Sequence, residues 1–313
     1  MPLPPQLEGK LALPAIAAPM FPVSWPELVI ESCKAGVLGT FPSLNARSPE
    51  ELDQWLNRIE GELAGYAEAN PEAIVAPYGV NIMAHRTNPR AEPDLEVLAS
   101  HKTPVIVTSV GNPRIYVETA HAYGGIVLHD VTTIEWARKA ADLGVDGLIP
   151  VCGGAGGHAG TMNPFAMVPQ LREFFDGTIA LAGCISDGRG IRAAQVLGAD
   201  LAYIGTRFVA TRESVASEDY KQGLIDYGPR DLIYTPAFSG IPANMLRPSI
   251  ERYGLDPEAL PEKGKIDLGT EFIDEGKVWA DIWTAGQGLG SIHDAPPVAE
   301  LIARMKDEYA AAA

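Results

Sequence analysis

The sequence lacks the signals of several protein classes. Its three cysteines, Cys33, Cys152 and Cys184, are far apart and form no CxxC pair. A disulfide framework and a structural zinc site are therefore not expected. The six histidines show no HExxH or comparable spacing, so no metal site is expected either. No apolar run approaches the roughly 20 residues that a membrane-spanning helix needs.

Basic residues are also scarce. The chain of 313 residues has 24 Lys and Arg against 40 Asp and Glu, a formal net charge of −16. A surface this acidic repels phosphate backbones and anionic lipids, so neither nucleic acid nor a membrane is an expected partner. The first residues lack the basic-then-apolar order of a secretory signal, so we expect a cytoplasmic protein.

Short apolar runs alternate with helical patterns over the first two thirds of the chain. This rhythm is typical of parallel β/α units. The predicted strands are 12–17, 37–40, 78–82, 104–108, 125–128, 147–151, 178–182 and 202–204. The predicted helices include 48–63, 92–100, 133–143, 164–175 and 188–197. Gly36, Gly144 and Gly198 lie between a helical pattern and the next strand, where a left-handed helix end is expected.

Eight alternations favour a closed barrel, whereas an open doubly wound sheet typically has about six strands. The GxGxxG fingerprint of a dinucleotide-binding sheet is absent after the first strand. We therefore predict an α/β fold, a (β/α)8 TIM barrel with a smaller, mainly helical C-terminal subdomain. Residues 1–213 and 291–313 are assigned to the barrel, with a helix at 296–308 outside it. Residues 214–290, where the rhythm stops, are assigned to the covering subdomain.

Glycine-rich turns follow the seventh and eighth predicted strands, where barrels of this kind commonly bind phosphate. Residues 182–190 read AGCISDGRG, and residues 205–208 read GTRF. Glycine lets the backbone approach a ligand closely, and successive backbone N–H groups bind anions. Tight turns alone would explain either segment, but they explain less well why both lie at the expected positions.

A third glycine-rich loop, residues 152–160 with the sequence CGGAGGHAG, follows the sixth predicted strand. His158 is its one basic side chain, and a neutral imidazole suits proton abstraction from a carbon acid. A flexible surface loop with an incidental histidine is the alternative. Two weaker candidates are the backbone at Met20 and the amide of Asn81, although such residues are more often core and turn positions.

The ordered set GGHAG, AGCISDGRG and GADLAYIGTRF resembles the nitronate monooxygenase family over residues 13–290. These enzymes are FMN-dependent barrels. The resemblance implies FMN as cofactor and an oxidation of nitroalkanes or nitronates, with O2, to carbonyl compounds and nitrite. His158 matches the family's catalytic histidine, which removes a proton from neutral nitroalkanes.

The resemblance also implies a set of cofactor contacts. Residues near the first strand, Asn81 and the 152–160 loop would meet the flavin ring, and the two later loops would hold the phosphate. The implied contacts are Pro19, Met20, Phe21, Asn81, Asp130, Gly156, Gly157, Ala182, Gly183, Cys184, Gly205, Thr206 and Gln287.

Several positions depart from the family pattern. Some relatives have a lysine where this chain has Asp130. The loss of that cation would lower the flavin's redox potential or require another donor. His129 is a candidate donor, and a histidine packed in the core is the alternative. The best-studied nitronate-oxidising class has arginines at the positions of Ile241 and Asn244. Cys184 replaces a usual glycine, although a contact through its backbone N–H would survive the exchange.

These departures keep two alternatives open. One is an NAD(P)H-dependent FMN reductase of quinones or of activated, enoyl-type double bonds. The other is a flavin-free barrel that binds a phosphorylated ligand. The expected partners are a small-molecule substrate together with O2 or NAD(P)H, and a homodimer is one assembly to be tested.

Overall fold

A closed barrel of eight parallel strands forms the centre of the computed structural model, which describes residues 3–260 and 281–312. Each barrel strand pairs with the next along the chain, and the last pairs with the first through Ile16 and Tyr203. The prediction of eight strands in a closed barrel is confirmed. The barrel strands are β1 Ala15–Ala17, β2 Leu38–Pro42, β3 Tyr78–Met83, β4 Val105–Ser109, β5 Ile126–Val131, β6 Gly147–Pro150, β8 Thr178–Ala182 and β9 Leu201–Ile204. The strand numbered β7, Gly157–His158, lies outside the barrel.

Helices surround the barrel in the order that the sequence pattern indicated. They are α1 Pro26–Lys34, α2 Pro49–Ala69, α3 Ala91–Ser100, α4 Arg114–Tyr123, α5 Ile134–Asp142, α6 Pro164–Arg172, α7 Gly188–Leu197 and α8 Thr206–Val209. The five predicted helices are present, although α2 continues six residues past its predicted end at 63. Among the described residues, no helix has the length and apolar content needed to cross a bilayer.

Polar caps and left-handed glycines set the ends of these helices. Side chains of Ser48, Thr133 and Asp187 accept hydrogen bonds from the first turns of α2, α5 and α7. Gly36, Gly144 and Gly198 have φ values of 87°, 83° and 113°, as predicted for the turns that lead into the next strand. Each β/α unit therefore begins and ends at residues that the sequence makes recognisable.

Two apolar layers stabilise the barrel. There are two because alternate residues of a strand point to opposite faces. Val105 and Val107 belong to an inner cluster with Leu7, which comes from the N-terminal segment and is fully buried. Ile106, between them, belongs to the outer cluster that packs against the helices, including Leu56 of α2. The polar residues at the strand ends are thus held on a rigid apolar frame.

The described part of residues 214–290 contains a small antiparallel sheet as well as helices. Helix α9 Glu218–Asp226 and helix α10 Arg247–Arg252 flank strands β10 Leu232–Thr235 and β11 Ala243–Leu246. Strand β11 pairs on one side with β10 and on the other with β7, which belongs to the loop after β6. A mainly helical subdomain was expected here, and the sheet was not predicted. It depends on a distant partner strand, which local periodicity does not reveal. Residues 261–280 lie outside the described residues.

The C-terminal helix, Val298–Ala311, packs against α1 and α7 on the outside of the barrel, as predicted. It approaches the start of α7 so closely that a Cβ on Gly188 would lie 2.1 Å from the carbonyl oxygen of Met305. The Gly188 N–H also donates to Glu308 Oε2 at 2.8 Å. Buried Arg207 joins the segment before this helix through an ion pair with Asp294 at 2.8 Å.

Gly188→Ala should destabilise the protein, because the added methyl must displace backbone atoms of the C-terminal helix. Overpacking of this kind costs roughly 1–3 kcal/mol. The matched control is Gly61→Ala within α2, where an added Cβ meets nothing within 4 Å. That control should stabilise the helix by roughly 0.5–1 kcal/mol. Urea unfolding measures both changes, and an equal effect of the two would contradict the packing described.

Candidate active site

A cavity of about 1030 Å3 lies at the carboxyl ends of the barrel strands, where this architecture places active sites. It is at the upper end of the range of roughly 300–1,000 Å3 typical of ligand pockets. Every predicted site residue except Gln287 lines it. They are Pro19, Met20, Phe21, Asn81, Asp130, Gly156, Gly157, His158, Ala182, Gly183, Cys184, Gly205 and Thr206.

The loop after β6 packs directly on the other two glycine-rich segments and on the backbone at Gly286. A Cβ on Gly156 would lie 2.7 Å from Gly286 N and 2.9 Å from Thr206 Oγ1. The Gly286 N–H donates to Thr206 Oγ1 at 2.9 Å. A Cβ on Gly154 would lie 2.6 Å from Cys184 Sγ. Glycine is required here because any side chain would separate segments that together line the cavity.

Gln287 packs against Gly154 and does not line the cavity. Its backbone N–H donates to the Gly154 carbonyl at 2.8 Å. A Cβ added to Gly154 would lie only 2.9 Å from Gln287 Oε1. Its neighbours Gly286 and Gly288 line the cavity instead. A ligand contact by Gln287 itself stays a prediction.

The loop after β8 holds two successive residues in left-handed conformations. Gly183 has φ of 124° and Cys184 has φ of 60°. A non-glycine residue pays a steric cost of roughly 1–2 kcal/mol in this region, which explains why relatives have glycine at the second position. Backbone turns of this kind expose successive N–H groups to an anion. The geometry therefore suits the predicted phosphate loop.

The segment after β1 contributes mainly apolar surface. The Met20 N–H donates to Ser24 Oγ at 3.0 Å, and its carbonyl accepts from Asn45 Nδ2 at 3.2 Å. The Met20 side chain lies near Gly205, 3.6 Å from the position a Cβ would take there. Met20 therefore offers a ligand van der Waals contact, because its backbone is already hydrogen-bonded within its own turn.

His158 lies in β7, opposite Ala243 of β11, and its side chain lines the cavity. Its Nε2 is 2.7 Å from Ser239 Oγ. Ser239 Oγ also lies 3.1 Å from the Ile241 carbonyl oxygen, so this hydroxyl holds the His158 ring against the turn between β10 and β11. Burial lowers the pKa of His158 to about 4, so the ring is neutral at pH 7.

Ser239 and Asn244 were not recognised as support residues from the sequence. Ser239 orients His158 from a position 81 residues away. Asn244 Nδ2 donates to the Ala155 carbonyl at 2.6 Å and so holds the glycine loop. Ile241 lines the cavity. The two positions at which one class of relatives has arginines therefore provide an apolar wall and a loop anchor.

Asn81, Ser109 and Asp130 form a chain of hydrogen bonds across the ends of β3, β4 and β5. Asn81 Nδ2 donates to Ser109 Oγ at 2.8 Å and to the Val107 carbonyl at 3.2 Å. Ser109 Oγ donates to Asp130 Oδ2 at 2.6 Å. Since both amide hydrogens of Asn81 are used, its Oδ1 is the group that can accept from a ligand. Ser109 was not predicted.

Asp130 stands where some relatives have a lysine, so this position carries no positive charge. Burial raises the pKa of Asp130 to about 7, and the hydrogen bond from Ser109 opposes this only in part. His129, the suggested substitute, is bonded to Thr108 Oγ1 at 2.8 Å, and burial lowers its pKa to about 4. His129 is therefore neutral at pH 7 and supplies no positive charge.

Comparison with known proteins agrees with this site. The protein belongs to the class of flavin-dependent oxidoreductases that are built on a (β/α)8 barrel. The family model described as nitronate monooxygenase matches residues 6–308, so the chain belongs to the nitronate monooxygenase family.

A nitronate monooxygenase from Paraburkholderia phytofirmans is 28% identical over 94% of this chain and 92% of its own length. Among solved structures, a nitroalkane oxidase from Streptomyces ansochromogenes superposes with a TM-score of 0.83 at 25% identity, over 98% of this chain and 99% of that one. FabK from Thermotoga maritima superposes with a TM-score of 0.78 at 26% identity, over 98% and 94% of the two chains.

The cavity fits a flavin by two observations that are independent of these relatives. Gly157, Gly183 and Gly205 line the cavity, and a Cβ on any of them would have no protein atom closer than 3.5 Å, so these glycines leave room that a side chain would fill. In addition, Asp130 Oδ1 is buried without a hydrogen-bond partner, as expected of a wall built to meet a polar ligand.

Gly156→Ala should weaken flavin binding at least tenfold, because the methyl would force the loop away from Gly286 and Thr206. The measurement is a titration of flavin-free protein with FMN, followed by quenching of flavin fluorescence. Gly65→Ala, in an open position of α2, is the control and should bind as the unchanged protein does. Unaltered affinity of the Gly156 variant would show that this loop does not shape the flavin site.

Proposed function

We propose that this protein binds FMN and oxidises small nitroalkanes or nitronates, with O2, to carbonyl compounds and nitrite. One observation carries the proposal: a neutral, oriented imidazole lines the same cavity as three glycine-rich segments suited to a flavin and its phosphate. A base opposite a bound flavin is the arrangement that carbon-acid oxidation needs.

In this proposal Gly183, Cys184, Gly205 and Thr206 hold the phosphate of FMN through their backbone. Met20 and Gly156 contact the ring system. Asn81 Oδ1 accepts a hydrogen bond from it. When bound, FMN supplies the electron acceptor for the oxidation.

The chain's own residues hold the substrate proton and exclude water. His158 takes the proton of the carbon acid on its imidazole, while Ser239 holds the ring in place. Tyr234 and Ile241, from the covering segment, line the cavity beside His158 and shield the reacting carbon. We assign residues 214–260 and 281–290 to this covering role on the same grounds. The apolar side chain at 241 favours a neutral nitroalkane over a preformed anion.

His158→Ala should lower kcat/KM for a neutral nitroalkane at least tenfold, with a smaller loss for the preformed nitronate. The reason is that only the neutral substrate needs its proton removed. Steady-state oxygen consumption with both forms of one compound measures the difference. Equal losses on the two forms would exclude His158 as the base.

The pH profile provides a second test of His158. Its lowered pKa keeps the basic form down to about pH 4. Activity with a neutral nitroalkane that is attributable to this base should therefore fall only as the pH drops through about 4. An acid limb near 6.5, the ordinary histidine value, would contradict the burial of the ring.

A reductase is the second candidate, and the extent of the cavity favours it. The cavity continues along α5 past Trp136 and Lys139, whose ammonium lies 4.2 Å from the indole centroid. This space and this cation suit the tail of a nicotinamide nucleotide. Rapid anaerobic bleaching of the bound flavin by NADH or NADPH would support the reductase. If neither nucleotide bleaches the flavin but a nitronate does, the result would support the proposed oxidation.

A further inference from the structure

The hydrogen-bond chain Asn81–Ser109–Asp130 forms part of the cavity wall on the side of β3, β4 and β5. All three side chains line the cavity and stand at strand ends, so the barrel frame fixes their positions. Proton abstraction by His158 does not use them. Their polar atoms are nonetheless arranged with a definite direction, from an amide donor through a hydroxyl to a carboxyl.

The carboxyl group at the end of this chain is poorly supported as an anion. Its Oδ2 receives one hydrogen bond, from Ser109, and its Oδ1 is buried with no partner. No Lys or Arg among the described residues forms an ion pair with it. A buried carboxylate usually needs several donors or a cation, so the neutral acid is favoured here.

Protonation of Asp130 changes what Ser109 can do. When Asp130 is ionised, the Ser109 hydroxyl must donate to Oδ2, and it accepts from Asn81 Nδ2. When Oδ2 carries a proton, it can donate to Ser109 Oγ instead. A hydroxyl oxygen that accepts from both neighbours has its own hydrogen available for a third group. That group would lie in the cavity, which Ser109 lines.

We propose that Asp130 is protonated in the working protein, and that its proton frees the Ser109 hydroxyl to donate a hydrogen bond to the bound flavin. This inference rests on the proposed FMN site. Asp130 and Ser109 thereby replace the cation that this wall lacks: a neutral donor favours the electron-rich reduced ring. Ionisation of Asp130 withdraws the donor and adds a negative charge, and both changes disfavour the reduced ring. The raised pKa of Asp130, about 7, places this change near neutrality.

Other titratable groups also line this cavity and are separable from Asp130. Tyr203 on β9 interacts with the Asp130 charge, and burial raises its pKa well above the ordinary tyrosine value, so it is neutral. His129 and His158 both have pKa values lowered to about 4. Burial also raises the pKa values of Cys184, Tyr220 and Tyr234, so these groups are neutral at pH 7. His85, whose Nδ1 bonds to Thr87, and Lys139 on α5 line the cavity as well. Variants at Asp130 distinguish its effect from theirs.

The test is the midpoint potential of the FMN-loaded protein from pH 5 to 9, compared with free FMN. In the unchanged protein the difference from free FMN should become more negative as the pH rises through about 7. The loss of one hydrogen bond to a charged ring corresponds to about a tenfold fall in the preference for reduced over oxidised flavin. For a two-electron couple that is about 30 mV.

Asp130→Asn should abolish this step. Ser109→Ala should only reduce it, because the charge of Asp130 remains, and Ser109→Thr, which keeps a hydroxyl, should restore its full size. Thr108→Val is the matched control. It removes a neighbouring buried hydroxyl of β4 that bonds to His129 and not to Asp130, so the step should remain. A step that persists in Asp130→Asn, or that is missing from the unchanged protein, would overturn the proposal.

An infrared measurement tests the protonation without any flavin. The unchanged protein should show a protonated-carboxyl C=O band that disappears as the pH rises through about 7, and Asp130→Asn should lack this band. Absence of the band in the unchanged protein at pH 5 would overturn the proposal. Failure of FMN to bind while the band is present would instead contradict the proposed cofactor, so the two failures are distinguishable.

Discussion

The contact of glycine backbones at the mouth of the barrel is the constraint on which the site depends. Gly154 and Gly156 approach Gly286 and Thr206 so closely that one added carbon would separate them. This contact brings the loop after β6, which carries His158, against the segments proposed to hold the flavin phosphate. Because the loop is also an edge of the small sheet, the same contact positions the covering segment.

A second constraint is electrostatic. The chain is strongly acidic, and at neutral pH the cavity's buried imidazoles, His129 and His158, are uncharged. A site of this kind binds anions through backbone N–H groups and hydroxyls, since few side-chain cations line it. It also makes each proton important, because one ionisation at Asp130 alters both the charge and the donor pattern of the wall. The proposed oxidation and the proposed tuning of the flavin therefore both depend on the scarcity of charged side chains in the cavity.

Much of the fold was predictable because its determinants are local. Strand runs, helix caps such as Ser48 and Asp187, and left-handed glycines such as Gly198 act within a few residues of where they stand. Barrel closure then follows from the number of β/α units, and it brings the carboxyl ends of all strands to one face. For the same reason Asn81, His158 and Gly205 were predicted to share a site, although they are far apart in sequence.

The sequence alone determined the barrel, the three glycine-rich loops and the imidazole that lies among them. Only the tertiary structure decided the partners of these groups: Ser239 for His158, Ser109 for Asp130, and β11 for the two residues of β7. The physical reason is that periodicity reports which face of an element is buried, whereas a hydrogen bond depends on which two elements meet. That choice is made by packing across the whole chain and leaves no pattern in either segment by itself.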